Sequence, residues 1–131
     1  MTQEEFIEVL KEKGYSYEIQ GDKIVVTHRG HRGNVYLGAL TSLPPGVEFK
    51  NGGGVDLESL KSLPPRVVFM NGGSVSLDSL KSLPPGVEFS NEGGVYLESL
   101  IGGWFFEWKG NIKGIKSKRL LNKMIKDGMF I

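Results

Sequence analysis

Residues 40–99 carry one twenty-residue unit three times: LTSLPPGVEFKNGGGVDLES (40–59), LKSLPPRVVFMNGGSVSLDS (60–79) and LKSLPPGVEFSNEGGVYLES (80–99). The copies align at Leu40, Leu60 and Leu80 without a gap. A fixed period of this length predicts a solenoid in which each unit is one coil stacked on the last. Within the unit, Val55-Asp56-Leu57 and its equivalents alternate with period two, which predicts a short strand with two side chains inward. Leu60 and Leu63 continue the inward set round a bend. The Pro-Pro pair restricts φ and removes two donors, so an extended corner follows where a helix cannot. Val47-Glu48-Phe49 predicts a second strand, again two in and one out. Asn51 and the glycines after it close the coil, since both residue types tolerate positive φ. The Asn51, Asn71, Asn91 and Asn111 series predicts stacked side-chain amides hydrogen-bonded along the turn as an internal ladder.

The frame reaches beyond the three copies. Val35-Tyr36-Leu37 matches Val55-Asp56-Leu57, and Asn111, Ile115 and Leu120 fall twenty residues after Asn91, Val95 and Leu100. About five coils at ~4.8 Å each predict a rod near ~24 Å long. Before the coils, Thr2 with Glu5 is a capping box, and Phe6, Val9 and Leu10 recur at helical spacing up to Gly14, so residues 3–13 are predicted helical. Tyr15 to Ile19 and Lys23 to His28, split by Gln20-Gly21-Asp22, predict a hairpin. Helix and hairpin are expected to cover the open first coil. After Leu100 the pattern breaks: Trp104, Phe105, Phe106 and Trp108 suit a lid over the last coil, and a helix is expected from Ser117 to about Lys126. The expected fold is a single, mainly β domain, a right-handed repeat solenoid either curved or flattened. Its parts are an N-terminal helix–hairpin cap (1–33), twenty-residue repeats (34–103) and an aromatic segment with a basic C-terminal helix cap (104–131).

Composition adds mostly exclusions. The 131 residues hold 16 basic and 15 acidic groups, which gives no global argument for nucleic acid or membrane as partner. The charge is uneven, however: residues 109–131 sum to about +6. No cysteine is present, which excludes disulfides and cysteine-ligated metals. No apolar run approaches the ~20 residues of a membrane helix, and the first residues lack a signal peptide's pattern, so a cytoplasmic location is expected.

The units L-x-S-L-P-P-x-V-x-F-x-N, at Leu40–Asn51 and twice more, resemble a leucine-rich repeat, closest to the short proline-containing repeats of bacterial LPX-type proteins. They are also similar to glycine-rich repeats of small phage and bacterial proteins of unknown role. The resemblance spans about residues 35–103 and departs from the usual spacing by the inserted Pro-Pro. It implies a protein-binding scaffold with no catalytic residues. Its sharper form is a phage-type inhibitor of a bacterial enzyme or defence complex, acting in the host cytoplasm on a host protein.

Two outward sets are the candidate protein-binding residues. The central copy departs from the other two at Arg66, Val68 and Met70, which predicts an exposed apolar patch beside a cation, suited to a partner or a homodimer contact. The competing reading is that Val68 only separates Glu48 from Glu88. On the other strand the outward row is Tyr36, Asp56, Ser76 and Tyr96, a recognition surface or ordinary strand composition. The alternative function is nucleic-acid or anionic-ligand binding through Lys113, Lys116, Lys118, Arg119, Lys123 and Lys126, against which stands the solvated face of an amphipathic helix. His28 and His31, with Arg29 and Arg32, read as a loop and not as a zinc site, which needs three or four ligands. No nucleophile, phosphate-loop or metalloprotease motif is present, and carboxylates such as Glu58 and Asp78 recur because the unit recurs. The expectation is no enzyme, no cofactor and no metal.

Overall fold

A computed structural model of the chain describes residues 1–99 and 122–128. Helix α1 (Gln3–Lys13) is followed by strands β1 (Tyr17–Gln20), β2 (Lys23–Val26), β3 (Val35–Tyr36), β4 (Val47–Phe49), β5 (Val55–Asp56), β6 (Val68–Phe69), β7 (Val75–Ser76), β8 (Glu88–Phe89) and β9 (Val95–Tyr96). The Val-x-Phe and Val-x-Leu triplets build separate sheets, ordered β1-β2-β4-β6-β8 and β3-β5-β7-β9. Apart from the β1–β2 hairpin every pairing is parallel, one unit to the next. The result is a β-solenoid of about four turns with one N-terminal helix and a small C-terminal helix, α2 (122–126). The expected fifth coil, the aromatic lid and the start of the C-terminal helix lie outside the described residues.

Strict translation puts identical side chains on top of each other. Phe49, Phe69 and Phe89 stack with ring centroids 5.2 and 5.1 Å apart and planes within 3° and 6° of parallel. Val47, Val55, Leu57 and Leu60 with their equivalents fill one continuous core with the phenyl column. Phe6 and Leu10 of α1 join that core at one end, Met124 and Ile125 of α2 at the other.

The hairpin covers the first coil by joining its sheet: β2 pairs parallel with β4, Ile24 on Val47 and Val26 on Phe49. It is the first rung, set 23 residues before β4 and not twenty, with the extra length taken up by the turn through Arg32 and Gly33, both at positive φ. His28 therefore stands where later coils have asparagine: its carbonyl accepts the Gly52 N–H, as Asn51 accepts Gly72 and Asn71 accepts Glu92. Gln3 ties α1 to this rung by donating to the carbonyls of Asp22 and Pro45 at 2.7 and 3.0 Å. The capping box is present, with the Thr2 N–H donated to Glu5 and the Glu5 N–H to the Thr2 hydroxyl; the first of these bonds holds the Glu5 carboxyl below its ordinary pKa.

The expected asparagine ladder runs along the turn, with main-chain oxygens as its acceptors. Each buried amide donates to glycine carbonyls of its own coil and of the coil before: Asn51 to Gly33 and Gly53, Asn71 to Gly53 and Gly73, Asn91 to Gly73 and Gly93. Every shared carbonyl links two successive asparagines, so the chain of bonds runs the length of the stack. The turn must be bare for this: a Cβ on Gly53 would collide with Asn34 Oδ1 and the Arg32 carbonyl.

Open sheet edges are closed by side chains. The Tyr15 hydroxyl accepts the Tyr36 N–H of β3 at 3.0 Å. At the far end, Asn122 of α2 accepts the Phe89 N–H and donates to the Phe89 carbonyl, both at 2.8 Å. That carbonyl is the group which, in earlier coils, receives Met70 and Ser90. Asn122 thus pairs with Phe89 as a residue of a neighbouring strand would. Asn122→Ala is expected to cost about 1–2 kcal/mol, for two polar backbone groups left unpaired. Hydrogen exchange of the Phe89 amide should accelerate ahead of that of Phe69.

Candidate functional site

The outward residues divide between the two sheets. On the Val-x-Leu sheet, Tyr36, Asp56, Ser76 and Tyr96 form one unbroken cross-strand row. The tyrosines at its ends are 57% and 42% exposed, while Asp56 and Ser76 are half-buried. Large rings on the outer rungs and short side chains between them leave a shallow groove of about 280 Å³, which Asn34 and Glu58 also line. Asp56 is partly engaged: its Oδ1 accepts the Glu58 N–H at 3.0 Å. The Tyr36 hydroxyl receives the Asn34 amide at 3.3 Å, which steadies that ring.

On the Val-x-Phe sheet, Val68 sits between Glu48 and Glu88 in register, as the charge-spacing reading requires. Glu48 is nevertheless already compensated, by Lys23 at 3.0 Å and Lys50 at 4.0 Å. Met70 is 48% exposed, Arg66 is exposed and Val68 is half-buried. Arg66 has a feature the sequence reading missed. It takes φ 69°, in the left-handed region, at the corner where Gly46 and Gly86 take 81° and 97°. A non-glycine residue there costs about 1 kcal/mol, and the signal was available in the Gly-Arg-Gly alternation at this position. Next to it lies a cavity of about 560 Å³, with Asp22, Lys23, Pro45, Glu48 and Pro65 among its walls.

The remaining candidates are placed as follows. Lys123 and Lys126 are exposed on α2, beside a cavity of about 440 Å³ shared with Glu88; Lys113, Lys116, Lys118 and Arg119 lie outside the described residues. His28 is buried against Tyr15, ring centroids 4.9 Å apart, and serves the first rung. Among the described residues no three acidic or histidine side chains gather in a way that could hold a metal, and no helix is long and apolar enough to cross a membrane. Comparison with protein-family models, with curated proteins and with solved structures finds no match.

Proposed function

We propose that the chain is a non-enzymatic, leucine-rich-repeat-like scaffold that binds a protein partner by rigid-surface recognition. One contrast supports this reading. Inward positions repeat unchanged (Phe49, Phe69, Phe89; Val55, Val75, Val95), whereas outward ones change along each row: Tyr, Asp, Ser, Tyr on one sheet and Glu, Val, Glu on the other. Residues that the stack does not need are free to suit a partner. A frame bonded from inside by buried amides and stacked rings has little left to order on docking, which lowers the entropic cost of association. The sharper version, a phage-type inhibitor of a bacterial enzyme or defence complex in the host cytoplasm, rests on the repeat resemblance alone.

The test is affinity capture from a bacterial lysate on the immobilised chain, with two surface variants in parallel. A protein held by the wild type and lost from Tyr36→Ala/Tyr96→Ala or from Val68→Glu is the expected result. Equal retention by all variants, or none by any, counts against the reading. Light scattering decides whether the partner is a second copy, in which case Val68→Glu lowers the mass. The exposed Lys123 and Lys126 support the nucleic-acid alternative; it requires retention on heparin that falls steeply with salt and is lost in Lys123→Glu/Lys126→Glu.

A further inference from the structure

We infer that Asn51 and Asn71 are self-modification sites: they deamidate when the chain unfolds, and the acids formed there bar refolding, so unfolding becomes a one-way step. The inference rests on the fold and is independent of any partner. Both asparagines precede glycine, in Asn51-Gly52 and Asn71-Gly72, whereas Asn34, Asn91 and Asn122 precede valine, glutamate and lysine. Deamidation begins when the backbone nitrogen of the next residue attacks the side-chain carbonyl carbon. That nitrogen gives up its proton, the Cγ–Nδ2 bond breaks and ammonia leaves with the proton. Solvent water then opens the cyclic imide to aspartate or isoaspartate. Glycine presents the attacking nitrogen on the freest backbone, with no side chain in the way.

The folded coil blocks each part of this step. The nucleophile is engaged: the Gly52 N–H donates to the His28 carbonyl at 3.1 Å and the Gly72 N–H to the Asn51 carbonyl at 3.0 Å. The leaving nitrogen is held as well. Asn51 Nδ2 donates to the carbonyls of Gly33, Gly53 and Gly54, and Asn71 Nδ2 to those of Gly53, Gly73 and Ser74. Among the described residues no donor meets Oδ1 of either asparagine, so negative charge developing on that oxygen would go unstabilised. Both side chains are also buried away from the water that opens the imide. In the unfolded chain all of these restraints are gone. An ionised acid at either place has no N–H to give and faces carbonyl oxygens where hydrogen bonds were. Isoaspartate further lengthens the main chain and shifts the glycine turn against its neighbours.

The experiment incubates the full-length chain at mildly alkaline pH, one sample native and one in guanidinium chloride. Samples taken over days are freed of denaturant. Circular dichroism then gives the fraction that refolds, and peptide mass spectrometry the acid formed at each asparagine. In denaturant, acid should appear at Asn51 and Asn71 ahead of Asn34, Asn91 and Asn122, and refolding should fall in step with the chains that keep both amides. In the native sample conversion runs only through the unfolded fraction, ~10⁻³ of molecules or fewer, so it should be ~1,000-fold slower or more. Gly52→Ala is the control, because a Cβ there meets only the Arg29 side chain at 3.5 Å and the Gly33 Cα at 3.8 Å. It should fold, keep Asn51 through the denatured incubation and lose refolding at the slower pace set by Asn71. Similar conversion with and without denaturant overturns the shielding. Full refolding of chains converted at Asn71 overturns the bar. Refolding lost while both asparagines stay intact gives irreversibility another cause and overturns the proposal.

Discussion

Asn71→Asp is expected to destabilise the chain by roughly 4 kcal/mol at about pH 7, against roughly 2–3 kcal/mol for Asn71→Ala. Asparagine and aspartate share a shape and differ at one terminal atom, so Asn71→Asp tests donor chemistry, whereas Asn71→Ala also removes the group. The Asn71 amide is fully buried and donates to the carbonyls of Gly53, Gly73 and Ser74 at 2.9, 3.1 and 3.4 Å. Alanine leaves those oxygens short of a donor, although Gly53 keeps Asn51 and Gly73 keeps Asn91. A carboxylate has no proton to give and sets negative charge against the same oxygens. Its folded pKa must therefore rise above the unfolded value of about 3.9, so the native state holds the proton more tightly than the unfolded chain. The penalty is full above the folded pKa and shrinks as the pH falls, since the protonated acid regains one O–H donor. Urea unfolding at about pH 7 and about pH 4 should show the aspartate variant approaching the alanine one in acid. Equal stability of the two variants at both pH values would mean that the amide does not serve as the donor linking coils.

How far the sequence showed this architecture follows from how a repeat works. When Phe49, Phe69 and Phe89 occupy the same place in identical units, translation alone stacks them, and no long-range guess is needed. The alternation of Val47, Glu48 and Phe49 likewise marked which residues face out, and the structure has them buried, half-buried and buried. What stayed hidden departs from the period or depends on backbone geometry. The first rung lacks both Pro-Pro and asparagine and lies 23 residues before its partner, so Ile24-Val25-Val26 read as a hairpin strand only. The asparagine ladder was legible from its period, but which oxygens accept from each amide was not, because the main chain of a glycine turn carries no residue-type signal. Asn122 looks in sequence like any polar residue of an amphipathic helix; only its two bonds to the Phe89 backbone show its task. At the candidate site, the break in consensus at Arg66 was legible, but its left-handed φ and the ion pairs around Glu48 were not.

Phe69→Ala should cost about 3–5 kcal/mol, the range for truncating a buried phenyl ring in a core that closes only partly over the space. Phe69 is fully buried and is the middle ring of the column, so both stacked contacts go at once. Phe89→Ala removes one described ring contact, and α2 lies beside it, with Asn122 on the Phe89 backbone. The central variant should therefore be the worse of the two, by about 1 kcal/mol or more. In a stack where each coil touches only its neighbours, a weak middle also separates the ends. The α1 side and the α2 side would then melt less cooperatively, with fluorescence and far-ultraviolet dichroism giving different midpoints. A drop in melting temperature on the order of 10–15 °C is expected for Phe69→Ala. Equal losses at Phe69 and Phe89 with coincident transitions would show that the coils do not transmit stability through the phenyl column. The rigid surfaces on which partner recognition is proposed would then need another source of order.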